Sequence, residues 1–187
     1  MFNPLDSRNL TTRFDPRGTS ANAAQTYNIP RGALALYIVA VGGGGGGGNG
    51  FGAAAGAARG GGGGGGSGAV SRLWIPTMYL PKQIFIQPGT GGGATFAGNP
   101  SRISVVPNAT TAANLILQAN GGGAGGNGTG AAAGAAGTAG TISNAAQTVF
   151  QNFGAPVWTV GQAGGGGGAQ TGAVGASVTW GGVGSPV

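Results

Sequence analysis

The sequence predicts a mainly β and irregular fold, in which short apolar β-strands are layered with packed polyglycine-II-like helices in two pseudo-repeats. Three observations predict it. Glycine supplies 47 of 187 residues, several times its usual share. Short β-branched and aromatic runs lead directly into glycine tracts. A Gly/Ala segment also recurs at a fixed spacing of 78 residues, since Asn49 to Ala58 reads NGFGAAAGAA and Asn127 to Ala136 reads NGTGAAAGAA.

Residues 1–25 differ from all that follows. They hold both acids of the chain, Asp6 and Asp15, together with Arg8, Arg13 and Arg17 and with Phe2, Leu5 and Phe14. No helical or strand period runs through them. They read as an N-terminal arm, either docked on a partner or loose, whose mixed charges suit local ion pairs. The rest, 26–187, reads as one glycine-rich β/polyglycine domain with pseudo-repeats of about 27–107 and 108–187.

That domain opens with a strand end and turn at Tyr27 to Gly32 (YNIPRG). The run Ala33 to Val41 is apolar at odd and even positions alike. This predicts a strand covered on both faces. Seven glycines, Gly42 to Gly48, follow it. Further strands are expected over 70–75, 83–87, 103–106, 115–118, 157–160 and 176–180, each bounded by Gly, Pro or Asn. One short helix is expected over 144–153.

The repeat aligns Tyr37-Ile38-Val39 with Leu115-Ile116-Leu117. A strand therefore enters a Gly/Ala tract at the same place in both halves, which argues against flexible linkers. Low charge, 5% of residues where a soluble domain has about 25%, argues against disorder. An extended glycine helix has three residues per turn and no internal hydrogen bonds. Its backbone groups then need outside partners. A three-residue phase fits: Gly44, Gly47, Gly50, Gly56, Gly62, Gly65 and Gly68 in the first tract, interrupted by Ala53 and Arg59, and Gly122, Gly125, Gly128, Gly134, Gly137 and Gly140 in the second, interrupted by Ala131.

Composition also removes most chemistry. The chain has no His and no Cys, and the body of the domain has no carboxylate. Acid–base hydrolysis, zinc binding and triad-type nucleophiles all lack their groups. No enzyme activity, cofactor or metal is expected. No apolar run is long enough for a membrane-spanning helix, and the first residues lack the apolar stretch of a secretion signal, so export by that route is not expected. The net charge of +6 comes from eight scattered basic residues without a basic run or RGG repeat. Scattered solubilising charge explains it better than a phosphate-tracking groove.

The order of motifs resembles the glycine-rich domain of bacteriophage tail-fibre and related virion proteins. The matching steps are the Tyr-Asn-Ile-Pro-Arg-Gly entry at 27–32, the apolar strand, Gly42 to Gly48, then Ile84 to Gly93 with its Pro88-Gly89 turn, then Leu115 to Leu117 with Gly121 to Gly126. Ala40 and Val41 stand where that family carries charged or aromatic strand residues. The chain also looks like the glycine-rich adhesins at the tips of long tail fibres. The resemblance implies a virion structural protein: a fibre, adhesin or surface-decoration component. It would be assembled in the host cytoplasm, among other virion proteins and copies of itself, with a host surface glycan or protein as a further partner. The arm residues Phe2, Leu5, Arg8, Arg13, Phe14 and Arg17 are then the expected virion-docking strap.

Specificity in such a molecule falls to the segments between glycine tracts. The richest is Trp74 to Lys82, which offers Trp74, Met78, Tyr79 and Lys82; the second offers Phe150 and Phe153. Aromatic side chains of this kind form sugar platforms and protein interfaces, or else cap the apolar layer of the core. A nucleic-acid-binding glycine-rich protein and an ice-binding or extracellular structural protein are the alternatives from other classes.

Overall fold

The computed structural model describes residues 11–16, 23–53, 59–141 and 155–159, the last as backbone only. Among the described residues seven strands form two antiparallel sheets. One has four strands in the order β1 (Gln25–Asn28), β4 (Gln83–Gln87), β5 (Ser101–Ser104) and β6 (Leu115–Ala119). The other has three, in the order β2 (Ala35–Val41), β3 (Val70–Pro76) and β7 (Ala155–Thr159). Two 3-10 turns, Thr77–Tyr79 and Ala112–Asn114, are the only helical pieces among the described residues.

The strands sit where β-branched runs meet turn residues. β1 pairs with β4 through Tyr27 opposite Ile84, and the chain then turns at Pro30 to Ala33. There Gly32 has φ of 87°, the left-handed value that glycine adopts at the third position of such a turn. β2 and β3 pair over seven residues each without a bulge. The β5–β6 pair has one register shift, between Ile103 and Ser104.

The core lies between the two sheets. Leu73 and Ile75 of β3 meet Ile84, Ile103, Ile116 and Leu117 from the four-stranded sheet. All five residues of β6 are buried. Ser71 is fully buried, and its hydroxyl donates to the Gln118 carbonyl at 2.8 Å. Ser101 Oγ donates to the Val41 carbonyl at 2.5 Å. These two bonds tie the sheets together at polar positions that would otherwise cost stability.

Glycine segments continue the ladders beyond the strands. The β2–β3 register runs on as Gly42 N–H to Ala69 O, Gly45 to Gly66, Gly48 to Gly63 and Phe51 to Gly60, at 2.7 to 2.9 Å. The β5–β6 register runs on as Gly98 N–H to Gly122 O, and β4–β5 as Asn99 N–H to Thr90 O. Within the strands the ladder repeats every second residue; in the glycine segments it repeats every third. Each segment therefore serves several neighbours. The segment from Gly42 donates to 60–69 and to 96–99, and accepts from Gly122, Gly125 and Gly128 and from Gly92 and Thr95.

Close approach is what excludes side chains here. A Cβ on Gly45 would lie on the Gly123 carbonyl, and one on Gly63 would lie on the Ala135 carbonyl. At Gly44 the nearest atom is 3.8 Å away, and Gly44, Gly47 and Gly50 are exposed. The phase singled out in the first tract is thus open at Gly44, Gly47 and Gly50 but closely packed at Gly62, Gly65 and Gly68, where a Cβ would meet the carbonyls of Gly48, Gly45 and Gly42. In the second tract Gly122, Gly125 and Gly128 are instead tightly packed.

The structure corrects the expected fold class. Its regular elements are two small antiparallel sheets, not strands layered with packed polyglycine-II-like helices. The physical reason is that the tracts take no repeating conformation of their own that registers as a helix. They are extended extensions of the strand ladders, held by hydrogen bonds to other segments. The strand expected to be covered on both faces is also corrected: Tyr37, Val39 and Val41 of β2 are exposed, while Ala40 is buried. Uniform apolarity at Ala33 to Val41 hid this asymmetry. Equivalent strands of the two repeat halves, β2 and β6, lie in different sheets. Their tracts still run side by side, and Asn49 N–H donates to Asn127 Oδ1, its repeat counterpart, at 2.7 Å. The helix expected over 144–153 and the strand over 176–180 lie outside the described residues.

Two outcomes follow from the packing. Gly63→Ala should destabilise the fold by about 1–3 kcal/mol, the cost typical of overpacking. Gly44→Ala should be neutral or stabilise by about 0.4–1 kcal/mol through the unfolded chain. Denaturant unfolding of the two variants checks the contrast. Amide exchange read by NMR should be slow at Gly42, Gly43, Gly45, Gly46 and Gly48 and fast at Gly44 and Gly47, whose amides have no partner among the described residues; uniform fast exchange along the tract would contradict the hydrogen-bond pattern.

Candidate partner-binding surface

β2 and β3 present one face to the core and the other outward. The alternation of a strand sends Ser71, Leu73 and Ile75 inward and Arg72 and Trp74 outward. On β2 it sends Ala40 inward and Tyr37, Val39 and Val41 outward. The register sets Tyr37 opposite Trp74, Val39 opposite Arg72, and Val41 opposite Val70. Tyr37 is 65% exposed, Trp74 51% and Val39 50%. β7 extends the same sheet, with Ala155 opposite Trp74 and Val157 opposite Arg72.

Tyr37 and Trp74 form a non-hydrogen-bonded pair of the ladder, because the bonds at Leu34–Thr77 and Gly42–Ala69 bracket it in alternate steps. Such pairs bring Cα atoms to about 4.5 Å and hold side chains closest. The outward face therefore carries two large aromatic residues side by side at its centre. Val39 and Val41 continue it along β2. Arg72 is its only charged residue among the described strands. Leu34 and Met78, the latter 80% exposed, stand exposed at the end of the sheet, where Thr77 N–H donates to the Leu34 carbonyl.

The described residues singled out from the sequence fall in four places. Trp74 is on the face itself, within β3 rather than in a loop. Met78 and Tyr79 lie in the 3-10 turn that follows, both exposed. Lys82 is exposed just before β4, and its carbonyl accepts the Ile29 N–H, which puts it beside β1 rather than on the face. In the arm, Arg13 pairs with Asp15 at 2.8 Å on the surface. Phe14 packs edge-on against Tyr27 with ring centroids 5.8 Å apart, and Gln25 Nε2 donates to the Asp15 carbonyl. That part of the arm is thus laid against its own domain. Phe2, Leu5, Arg8, Arg17, Phe150 and Phe153 lie outside the described residues.

The sequence reading did not find Tyr37, Val39 and Val41 as surface residues. The available signal was the pairing of their run with Val70 to Pro76, where Arg72 marks an outward position. Read together, the two strands assign outward faces; read alone, β2 does not.

The described side chains of this face offer aromatic and aliphatic surface and one guanidinium. Among the described residues no group of His, Cys, Asp or Glu gathers as a metal site. No helix among them is long and apolar enough to cross a membrane. Neither the curated proteins nor the solved structures contain a match to this chain. A family model described as a glycine-rich domain matches residues 19–186. With its strands, glycine segments and repeat all inside that span, the chain belongs to the glycine-rich domain family.

Proposed function

We propose that this chain is a structural attachment protein of a bacteriophage virion: a fibre, adhesin or surface-decoration component that holds partners and performs no catalysis. The observation that carries the attachment role is the outward face of Tyr37, Val39, Val41 and Trp74 on a rigid scaffold. The virion setting rests on the tail-fibre resemblance of the motif order from Tyr27 to Gly126.

The scaffold suits such a role. Glycine segments cross-linked at every third residue leave little to reorganise when a partner binds, so little ordering entropy is lost. Aromatic and apolar side chains grouped without acids match the centre of a protein interface. A sugar site would need several convergent polar groups around the rings, and here Arg72 alone is charged. The partner best suited to the face is therefore the apolar surface of another virion protein. A host receptor is reached, on this reading, through other segments.

Mass spectrometry of purified virions tests the setting: the chain should be present at a fixed copy number, with few copies for a tail tip or fibre and hundreds for a coat. Its absence from virions overturns the proposal. Trp74→Lys tests the face. Losing a central aromatic anchor typically costs about 2 kcal/mol of binding or more, which is roughly 30-fold. Virion occupancy should fall by that order while the melting temperature moves little, because Trp74 is half exposed. Unchanged occupancy would remove the face from the attachment surface.

A further inference from the structure

β2 is the open edge of its sheet. The order β2-β3-β7 leaves one side of β2 without a strand among the described residues. Its ladder to β3 uses Leu36, Ile38 and Ala40, in step with the bonds at Leu34–Thr77 and Gly42–Ala69. The N–H and C=O groups of Ala35, Tyr37, Val39 and Val41 therefore point away from β3. Of these, the Val41 carbonyl accepts the Ser101 hydroxyl. Those of Tyr37 and Val39 form an open pair of donors and acceptors, without partners among the described residues.

Native edge strands are usually blunted by a charge, a proline, a bulge or short length. β2 has none of these: it reads Ala-Leu-Tyr-Ile-Val-Ala-Val over seven residues, with unbroken register to β3. The edge strand β1 of the other sheet is only four residues long and carries Gln25, Thr26 and Asn28. Both flanks of β2 are apolar at the edge. Tyr37 and Val39 are exposed on the outer side, and Leu36 and Ile38 are only partly buried on the inner side.

We infer that β2 pairs antiparallel with β2 of a second copy of this chain, about a two-fold axis at Ile38, to make one continuous six-stranded sheet. The open groups require an axis that passes through a residue, and Ile38 is the middle residue of β2. An axis at Ile38 sets Tyr37 against Val39 of the other copy, and Ala35 against Val41. Each open N–H of Tyr37 and Val39 then meets an open carbonyl on both sides of the axis. An axis midway between two residues would set open groups against groups already committed to β3, and an axis at Tyr37 or Val39 would leave Val41 or Ala35 without a partner in β2 of the other copy. Charge does not oppose the pairing. β2 carries no charged residue, and the cations of the adjoining strands, Arg72 of each copy, stand three strand spacings apart, about 14 Å. That exceeds the screening length of about 8 Å at physiological salt. A second copy also matches the closed isologous symmetry typical of homodimers. The pairing uses the edge of the sheet and does not depend on the virion setting proposed above.

Light scattering on the full chain should give a dimer. Val39→Pro removes an N–H that points to the open edge and leaves the β3 ladder intact; it should give a monomer. Val39→Lys at the same half-exposed position should do so too, and circular dichroism confirms that each variant is folded. The chain has no cysteine of its own, so a single one reports register. Ile38→Cys places two thiols across the axis, where Cα atoms are about 4.5 Å apart and within disulfide reach. It should cross-link on mild oxidation. Leu36→Cys places its pair about 14 Å apart and should not. A monomer at every concentration overturns the inference, including one whose Tyr37 and Val39 amides exchange slowly because the chain's own residues cover the edge. So does a dimer that Val39→Pro and Val39→Lys leave unchanged, or equal cross-linking at Leu36.

Discussion

A carbonyl oxygen of one glycine segment sits where a side chain of the next would begin. This close approach of backbones governs the rest of the molecule. At Gly45, Gly63 and Gly125 a Cβ would meet the carbonyl of Gly123, Ala135 and Gly63 respectively. Without side chains in the way, N–H groups reach carbonyls on separate segments at 2.7 to 3.0 Å. Ordering so much glycine is costly in backbone entropy. The cost is offset because nearly every buried amide finds a partner and because each segment begins on a strand already fixed by the apolar core.

Strands and tracts are therefore one system. β2 and β3 bury Leu73, Ile75 and Ala40 against Ile103, Ile116 and Leu117, and so set the register. The glycine segments inherit that register and exchange its two-residue step for a three-residue one. A two-residue step offers hydrogen bonds in the plane of one sheet. A three-residue step points successive groups in three directions, so one segment joins neighbours that no sheet could contact together. The segment from Gly42 does this with 60–69, 92–99 and 122–128. Asn49 and Asn127, equivalent in the repeat, bond to each other because the two halves run their tracts in parallel.

This arrangement leaves most of the large exposed side chains to the strands and the turns between them. Glycine segments have almost no side chains to offer. The outward face of β2 and β3 holds Tyr37, Val39, Val41 and Trp74 with the single charge of Arg72. These exposed apolar residues are the basis of the partner proposed for the face, and the open backbone groups of β2 are the basis of the strand pairing proposed for its edge. Both lie on the three-stranded sheet. The four-stranded sheet spends β6 wholly on the interior.

Sequence alone determined the strands and their glycine sequels. Gln83 to Gln87 was legible to the residue, and 70–75, 115–118 and 157–160 to within two residues of their ends, because β-branched runs bounded by Gly, Pro and Asn have few other solutions. The repeat was legible because strand and tract align together. What tertiary structure decided was which strands pair, how the tracts are held, and which face is outward. Ala33 to Val41 is apolar throughout, so its own pattern cannot distinguish Ala40 from Val39; only pairing with Ser71 and Arg72 does. Likewise, glycine so abundant gives a three-residue phase almost freely. The first-tract phase proved open at Gly44, Gly47 and Gly50 and closely packed at Gly62, Gly65 and Gly68, since packing at each glycine depends on which carbonyl lies across from it. That depends on segments distant in the chain, where local residue pattern carries no information.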